Sequence, residues 1–173
     1  DKDKAIGIAT EAINTFEEIY KTKWLNMMRD KLGLFGEEVN DKELIKELLA
    51  WMHNNKADYT NTFCFLMNEK FSFDEKYTNK DFIIWKKKWN IRLKQHNNTP
   101  EKYLKLMHSV NPIIIPRNHK VEEALAVAND GNLEVMNKLL TVLEKPYENQ
   151  SDIADFQSPA PLSNKNYQTF CGT

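Results

Sequence analysis

The stretch Asn111-Pro112-Ile113-Ile114-Ile115-Pro116-Arg117-Asn118-His119-Lys120-Val121-Glu122-Glu123-Ala124 decides how the chain is read. Pro112 and Pro116 lack an N–H and hold φ near about −65°. The residues before them, Asn111 and Ile115, are pushed out of the helical region. The three isoleucines between the prolines are β-branched and apolar, so they read as a buried extended strap. Asn118 offers an N-cap side chain to a following helix, and Glu122 and Glu123 are placed in its first turn, where negative charge suits the helix dipole. A helix is therefore expected to begin near His119. The plan is an α-helical body on each side of a rigid apolar connector.

Working outward, the pattern on both sides is helical. From Ala5 to about Arg29, apolar residues at Ala9, Ala12, Ile13, Phe16, Ile19, Tyr20, Trp24, Met27 and Met28 recur every three or four positions, the spacing of an amphipathic helix. Gly33 suits the left-handed position at its end. Asp41 reads as the N-cap of a second helix with Leu44, Ile45, Leu48, Leu49, Trp51 and Met52 on one face. Asp58 or Thr60 opens a third, with Phe63, Leu66 and Met67 inward. Residues 70–78 read as a loop anchored by Phe71 and Phe73. Asn79 caps a fourth helix striped by Phe82, Trp85, Trp89 and Leu93. Thr99-Pro100 is a start signal for a fifth, since proline is tolerated in a first turn. After the strap come two helices, at about 119–128 and 133–143, separated by the turn Asn129-Asp130-Gly131-Asn132. Pro159 and Pro161 interrupt the tail, whose Ile153, Phe156, Leu162, Tyr167 and Phe170 suggest a segment packed along a surface.

The fold class read from this pattern is all-α. It is an irregular bundle of about seven helices with a proline-bounded strap and an irregular C-terminal tail. The division expected is a helical body over 1–110, the strap over 111–118, a helical hairpin over 119–144 and the tail over 145–173, within one helical domain. The 173 residues suit one domain. A net charge of −1 supplies no global field toward nucleic acid or an anionic membrane, and no apolar run reaches the roughly 18 residues of a membrane span. Neither nucleic acid nor membrane is an expected partner. The chain does not begin with Met, which suggests a piece of something longer.

Few residues carry chemistry. Lys86, Lys87, Lys88, Arg92 and Lys94 interleave with Trp85 and Trp89, a combination able to neutralise phosphates and stack bases. The two tryptophans continue the stripe of Phe82 and Leu93, however, so core rings beneath a solvated basic face are expected. His53, His96, His108 and His119 are not spaced as metal ligands. His119 and Arg117 could contact an anion at a helix start or brace the strap through backbone carbonyls or carboxylates. The segment 124–140 looks like one pair of ankyrin-type helices, but it has no second copy to stack on. No Gly-rich phosphate loop or Ser/His/Asp arrangement stands out. Cys64, in an apolar helical setting, reads as a small buried hydrophobe. With no disulfide framework, a cytoplasmic setting is expected. Cys171, third from the end and beyond any expected helix, has the setting of an accessible thiol.

The strap pattern resembles the C-terminal region of the selenoprotein O family, known in bacteria as YdiU. Met28-Arg29-Asp30-Lys31-Leu32-Gly33-Leu34, Ala57-Asp58-Tyr59-Thr60-Asn61-Thr62-Phe63, Pro146-Tyr147 and the ending Phe170-Cys171-Gly172-Thr173 fit the same resemblance in order. The resemblance implies a longer protein with a kinase-like fold that moves AMP from ATP to Ser, Thr or Tyr hydroxyls of protein substrates, with Mg2+. Its nucleotide- and metal-binding residues would lie upstream. No catalytic, cofactor-binding or metal residue is then expected in this chain, whose partner would be the upstream kinase-like domain. Family members with selenocysteine carry it third from the end, so Cys171 resembles its counterpart and is the candidate redox residue. Where some members have a cysteine three positions earlier, this chain has Gln168, which breaks a local Cys-x-x-Cys pair. Asn111, Pro112, Arg117, Asn118 and His119 are the candidates for the strap and a contact with the catalytic lobe. The competing expectation is a non-enzymatic helical interaction module, with strap and hairpin presenting a groove to a partner helix.

Overall fold

Asp58, Asn79 and Thr99 each start a helix by the same device, a short polar side chain accepting from a backbone N–H that has no partner within the first turn. Asp58 Oδ1 accepts from Asn61 N at 2.8 Å, Asn79 Oδ1 from Asp81 N at 2.8 Å, and Thr99 Oγ1 from Lys102 N at 3.4 Å. The computed structural model describes residues 1–67, 75–151 and 153–160. Among them are α1 (Lys2–Lys31), α2 (Asp41–Asn54), α3 (Tyr59–Leu66), a 3-10 turn (Glu75–Thr78), α4 (Lys80–Leu93), α5 (Pro100–Val110), α6 (Asn118–Asn129), α7 (Glu134–Leu143) and α8 (Ala154–Gln157), with no strand. The chain is all-α, as the periodicity predicts. The anchors expected of Phe71 and Phe73 lie outside the described residues.

The chain forms two units. The first is Asp1–Ala57 with Asp74–Val110; the second is Asp58–Phe73 with Asn111–Thr173. In the first unit α4 supplies the central stripe. Phe82, Trp85, Trp89 and Leu93 are buried. The Trp85 indole N–H donates to Leu44 O at 2.8 Å and that of Trp89 to Leu32 O at 2.9 Å, so α4 is tied to α2 and to the end of α1. The Trp85 and Trp89 rings stack at 5.9 Å, and Trp51 of α2 meets Phe82 at 4.5 Å. These are core rings, as expected. The basic face is less solvated than expected. Arg92 is buried, and Lys88 is paired with Glu47 at 2.6 Å.

The end of α1 explains Gly33. Leu34 N donates to Arg29 O at 2.9 Å and Gly33 N to Asp30 O at 3.0 Å, with Gly33 at φ +68°. This is the paired-bond C-terminal motif that favours glycine. A Cβ at Gly33 would stand 2.9 Å from Tyr103 Cβ and 3.1 Å from Met107 Cγ, because α5 packs on this turn.

In the second unit the strap carries neither helix nor strand, with bends at Asn111 and Ile113. Ile113 and Ile114 are buried, and their N–H groups donate to Pro146 O at 2.7 and 3.3 Å. Two helix starts differ from expectation. Arg117, not Asn118, is the residue at the N-cap of α6. Its backbone is extended (φ −74°, ψ 129°) and its carbonyl accepts from Lys120 N and Val121 N, so Asn118 is already helical and makes no cap. Glu122 and Glu123 consequently fall beyond the first turn. Asn40, not Asp41, precedes α2, and the Asp41 carboxylate is drawn inward to two arginines. Among the described residues of the tail there is one short helix, α8, which buries Phe156 next to the buried Ile153.

Candidate functional site

The strap is held at its C-terminal end by Arg117. Its guanidinium donates from Nη1 to Asp58 Oδ2 at 2.7 Å and from Nη2 to Asp58 Oδ1 at 3.0 Å, with a further bond from Nη2 to Asn61 Oδ1 at 2.9 Å. This two-pronged geometry is what a planar guanidinium offers and an ammonium cannot. Asn61 passes the link on: its Nδ2 donates to Gln157 O at 3.1 Å, and Gln157 Nε2 donates to Ile113 O at 3.3 Å. Strap, α3 and α8 are thus joined through polar groups, most of them buried. Burial by itself would raise the Asp58 carboxyl. The bonds from Arg117 and from the α3 N-terminal N–H groups outweigh it and hold the carboxyl below its ordinary range.

The other named strap residues lie around this joint. Asn111 is buried, and the Pro112 carbonyl faces Cys64 Sγ at 3.9 Å. Cys64 is a buried cysteine, as its sequence setting predicts. Asn118 is exposed on the first turn of α6. His119 is partly buried; burial first, then the charges of Lys120 and Arg117, push its pKa below the ordinary value. Lys120 is itself paired with Asp155 at 2.6 Å and Glu123 at 3.1 Å. The Arg117 terminal nitrogens are turned to a carboxylate and an amide, so this cluster is a brace rather than an open anion cradle. Cys171 lies outside the described residues.

A second buried cluster sits in the first unit. Asp41 Oδ2 accepts from Arg29 Nε at 2.8 Å and Oδ1 from Arg92 Nε at 2.7 Å; the carboxylate also accepts from Glu38 N at 3.0 Å. Arg92 Nη2 reaches on to the carbonyls of Phe35 and Gly36 at 3.0 and 3.1 Å. Burial raises the Asp41 carboxyl, but these donors prevail and lower it. Beside it is a concavity of about 410 Å³ whose walls include Asp41, Arg92, Glu47 and Lys88. Those charges are paired with one another. Among the described residues no three His, Cys, Asp or Glu side chains converge as a metal site, and no helix is long and apolar enough to cross a membrane.

The sequence reading has Arg117 bracing the strap through carbonyls or carboxylates, and Asp58 supplies the carboxylate; it does not name Asp58 as the partner or foresee the Asp41–Arg29–Arg92 cluster, because ion pairs between distant segments leave no local period. There was an indirect signal. Arg29, the pair Asp58 and Asn61, and Arg117 each fall in a different stretch that carries the family resemblance.

Comparison with known proteins bears on what these clusters support. The family model described as "Protein adenylyltransferase SelO" matches residues 6–144. A relative named "Protein nucleotidyltransferase YdiU" from Pelagibacter ubique is 56% identical over 173 residues, covering 100% of this chain and 36% of the relative. Relatives of the same name from Nitrosococcus oceani and Alkaliphilus metalliredigens are 44% and 42% identical, covering 99% and 100% of this chain and 35% of each relative. The chain therefore spans about a third of the length of these curated relatives, in their C-terminal part. A match over most of its length, with three relatives above 40% identity along all or nearly all of it, places the chain in the SelO family of protein adenylyltransferases.

Proposed function

We propose that this chain is the supporting helical part of a longer protein adenylyltransferase, whose kinase-like catalytic portion lies in the two-thirds of the polypeptide that the relatives carry beyond it. That enzyme joins the oxygen of a protein Ser, Thr or Tyr hydroxyl to the α-phosphorus of ATP and releases pyrophosphate. ATP and Mg2+ are the expected cofactors of the catalytic portion, and upstream domain and protein substrates are the expected partners. The nucleotide- and metal-binding residues are assigned to that catalytic portion, and the part of the described residues is mechanical. Arg117 fixes the end of the strap to α3, and Asp41 fixes α4 to α1 through two guanidiniums.

One observation carries the reading: the whole chain aligns with relatives named nucleotidyltransferase at up to 56% identity. It favours a part of an enzyme over the free-standing interaction module. The test uses the full-length protein with Mg2+, a protein acceptor, and ATP labelled in either the α- or the γ-phosphate. Label from the α-phosphate is expected on acceptor hydroxyls, with an adenylyl mass increment on the modified peptide. Transfer of the γ-label instead, or of neither, would overturn the reading.

A further inference from the structure

Helix α1 carries an apolar face that its own unit does not cover. Ile6, Ile13, Phe16, Tyr20 and Met27 follow one another at intervals of seven, three, four and seven residues, which places them on one side of a helix. They are 54%, 72%, 65%, 57% and 42% exposed. Phe16 and Tyr20 stack on each other at 6.0 Å. The face runs about 30 Å along the helix at 1.5 Å per residue. The opposite side carries Glu11, Asn14 and Glu18, while the Lys21–Glu17 pair at 2.6 Å flanks the apolar face. Scattered exposed apolar residues need no explanation, but a contiguous stripe of aromatic and branched side chains marks a contact surface. Burial on α1 begins only at Met28 and Arg29.

We propose that this face of α1 is a docking surface for the remainder of the same polypeptide, the portion present in the longer relatives and outside this chain. The inference rests on the reading that the chain is the supporting part of a longer enzyme. Two observations favour this occupant. Relatives of which this chain is about a third keep the other two-thirds covalently attached, and tethering raises effective concentration far above that of a separate partner. The charge of the helix argues against a lipid surface. Between residues 5 and 23 it carries Glu11, Glu17 and Glu18 against Lys21 and Lys23, whereas helices that lie on membranes concentrate Lys and Arg on the polar face.

The experiment is thiol labelling of the full-length protein carrying Ile13→Cys, Phe16→Cys or, on the opposite side of the same helix, Glu18→Cys. Labelling at each site is read by peptide mass spectrometry, which separates it from native cysteines. Cysteines at 13 and 16 are expected to label at least tenfold more slowly than that at 18, at every protein concentration. Equal rates at all three sites would overturn the proposal. So would protection that disappears on dilution to monomers, which would assign the face to a second copy. Hydroxyl-radical footprinting of the unaltered protein reads Phe16, Tyr20 and Met27 without a variant, and ready oxidation of all three has the same force as equal labelling. Neither measurement depends on AMP transfer. A protein that protects this face but transfers no AMP would sink the enzymatic reading and leave the surface standing.

Discussion

Asp41 shows how much one side chain can hold. Its carboxylate is fully buried between Arg29 and Arg92, and each guanidinium in turn is less than a tenth exposed. Removing one partner from such a cluster leaves charge without compensation in a low-dielectric site, a loss of about 3–5 kcal/mol. Asp41→Ala is expected to destabilise the full-length protein by about that amount, measured by denaturant unfolding followed through tryptophan fluorescence. The pH dependence has a definite sign. The folded-state carboxyl is held below its ordinary value of about 3.9, so its contribution is complete above that value and is lost as pH falls through the lower, folded-state value. Below about pH 4, unfolding midpoints of the wild type should fall more steeply than those of Asp41→Ala. A parallel acid profile in the two proteins would contradict this role. The sequence suggested an N-cap here because an aspartate before an apolar stripe is locally indistinguishable from one. Only tertiary structure brings Arg92 to it, from 51 residues away.

At the scale of elements, most of the chain was legible. Helices α1 to α7 were visible in the three-and-four spacing of their apolar residues, and the starts of α3, α4 and α5 in Asp58, Asn79 and Thr99. What failed was local to the start of α2, the strap exit and the tail. Pro116 and the extended Arg117 start α6 one residue early, and four residues suffice for α8 once Phe156 is buried. The turn glycines separate two kinds of requirement. Gly33 and Gly131 both have positive φ, +68° and +88°, but only at Gly33 would a Cβ strike a packed neighbour. Gly131→Ala should cost about 1–2 kcal/mol from backbone strain alone. Gly33→Ala adds overpacking against Tyr103 and Met107 and should cost about 2–4 kcal/mol. Equal losses in chemical denaturation would show that α5 does not constrain the α1 turn.

At the scale of the whole molecule, the family was legible, and so was a bracing role for Arg117, but the partners that complete the braces were not. Spacing rules read one segment at a time, whereas Arg117, Asp58 and Asn61 gain their meaning only when two segments meet. Because Arg117 holds the strap to α3 through Asp58 and Asn61, Arg117→Ala should lower stability by about 1.5–3 kcal/mol. At temperatures well below its unfolding transition, the same variant should leave kcat for AMP transfer within about twofold of wild type; a tenfold fall in kcat with the fold intact would move Arg117 into the catalytic machinery.

The Asp58–Arg117 joint spans 59 residues of sequence, and the Asn61–Gln157 bond spans 96. A ribosome adds about 5–20 residues per second, so α3 leaves the exit tunnel on the order of 3–12 seconds before its ionic partner Arg117 follows it out. During that interval Phe63, Cys64 and Leu66, all buried in the finished molecule, have no strap to close over them. The second unit is therefore assembled late in synthesis, with α3 waiting for α8.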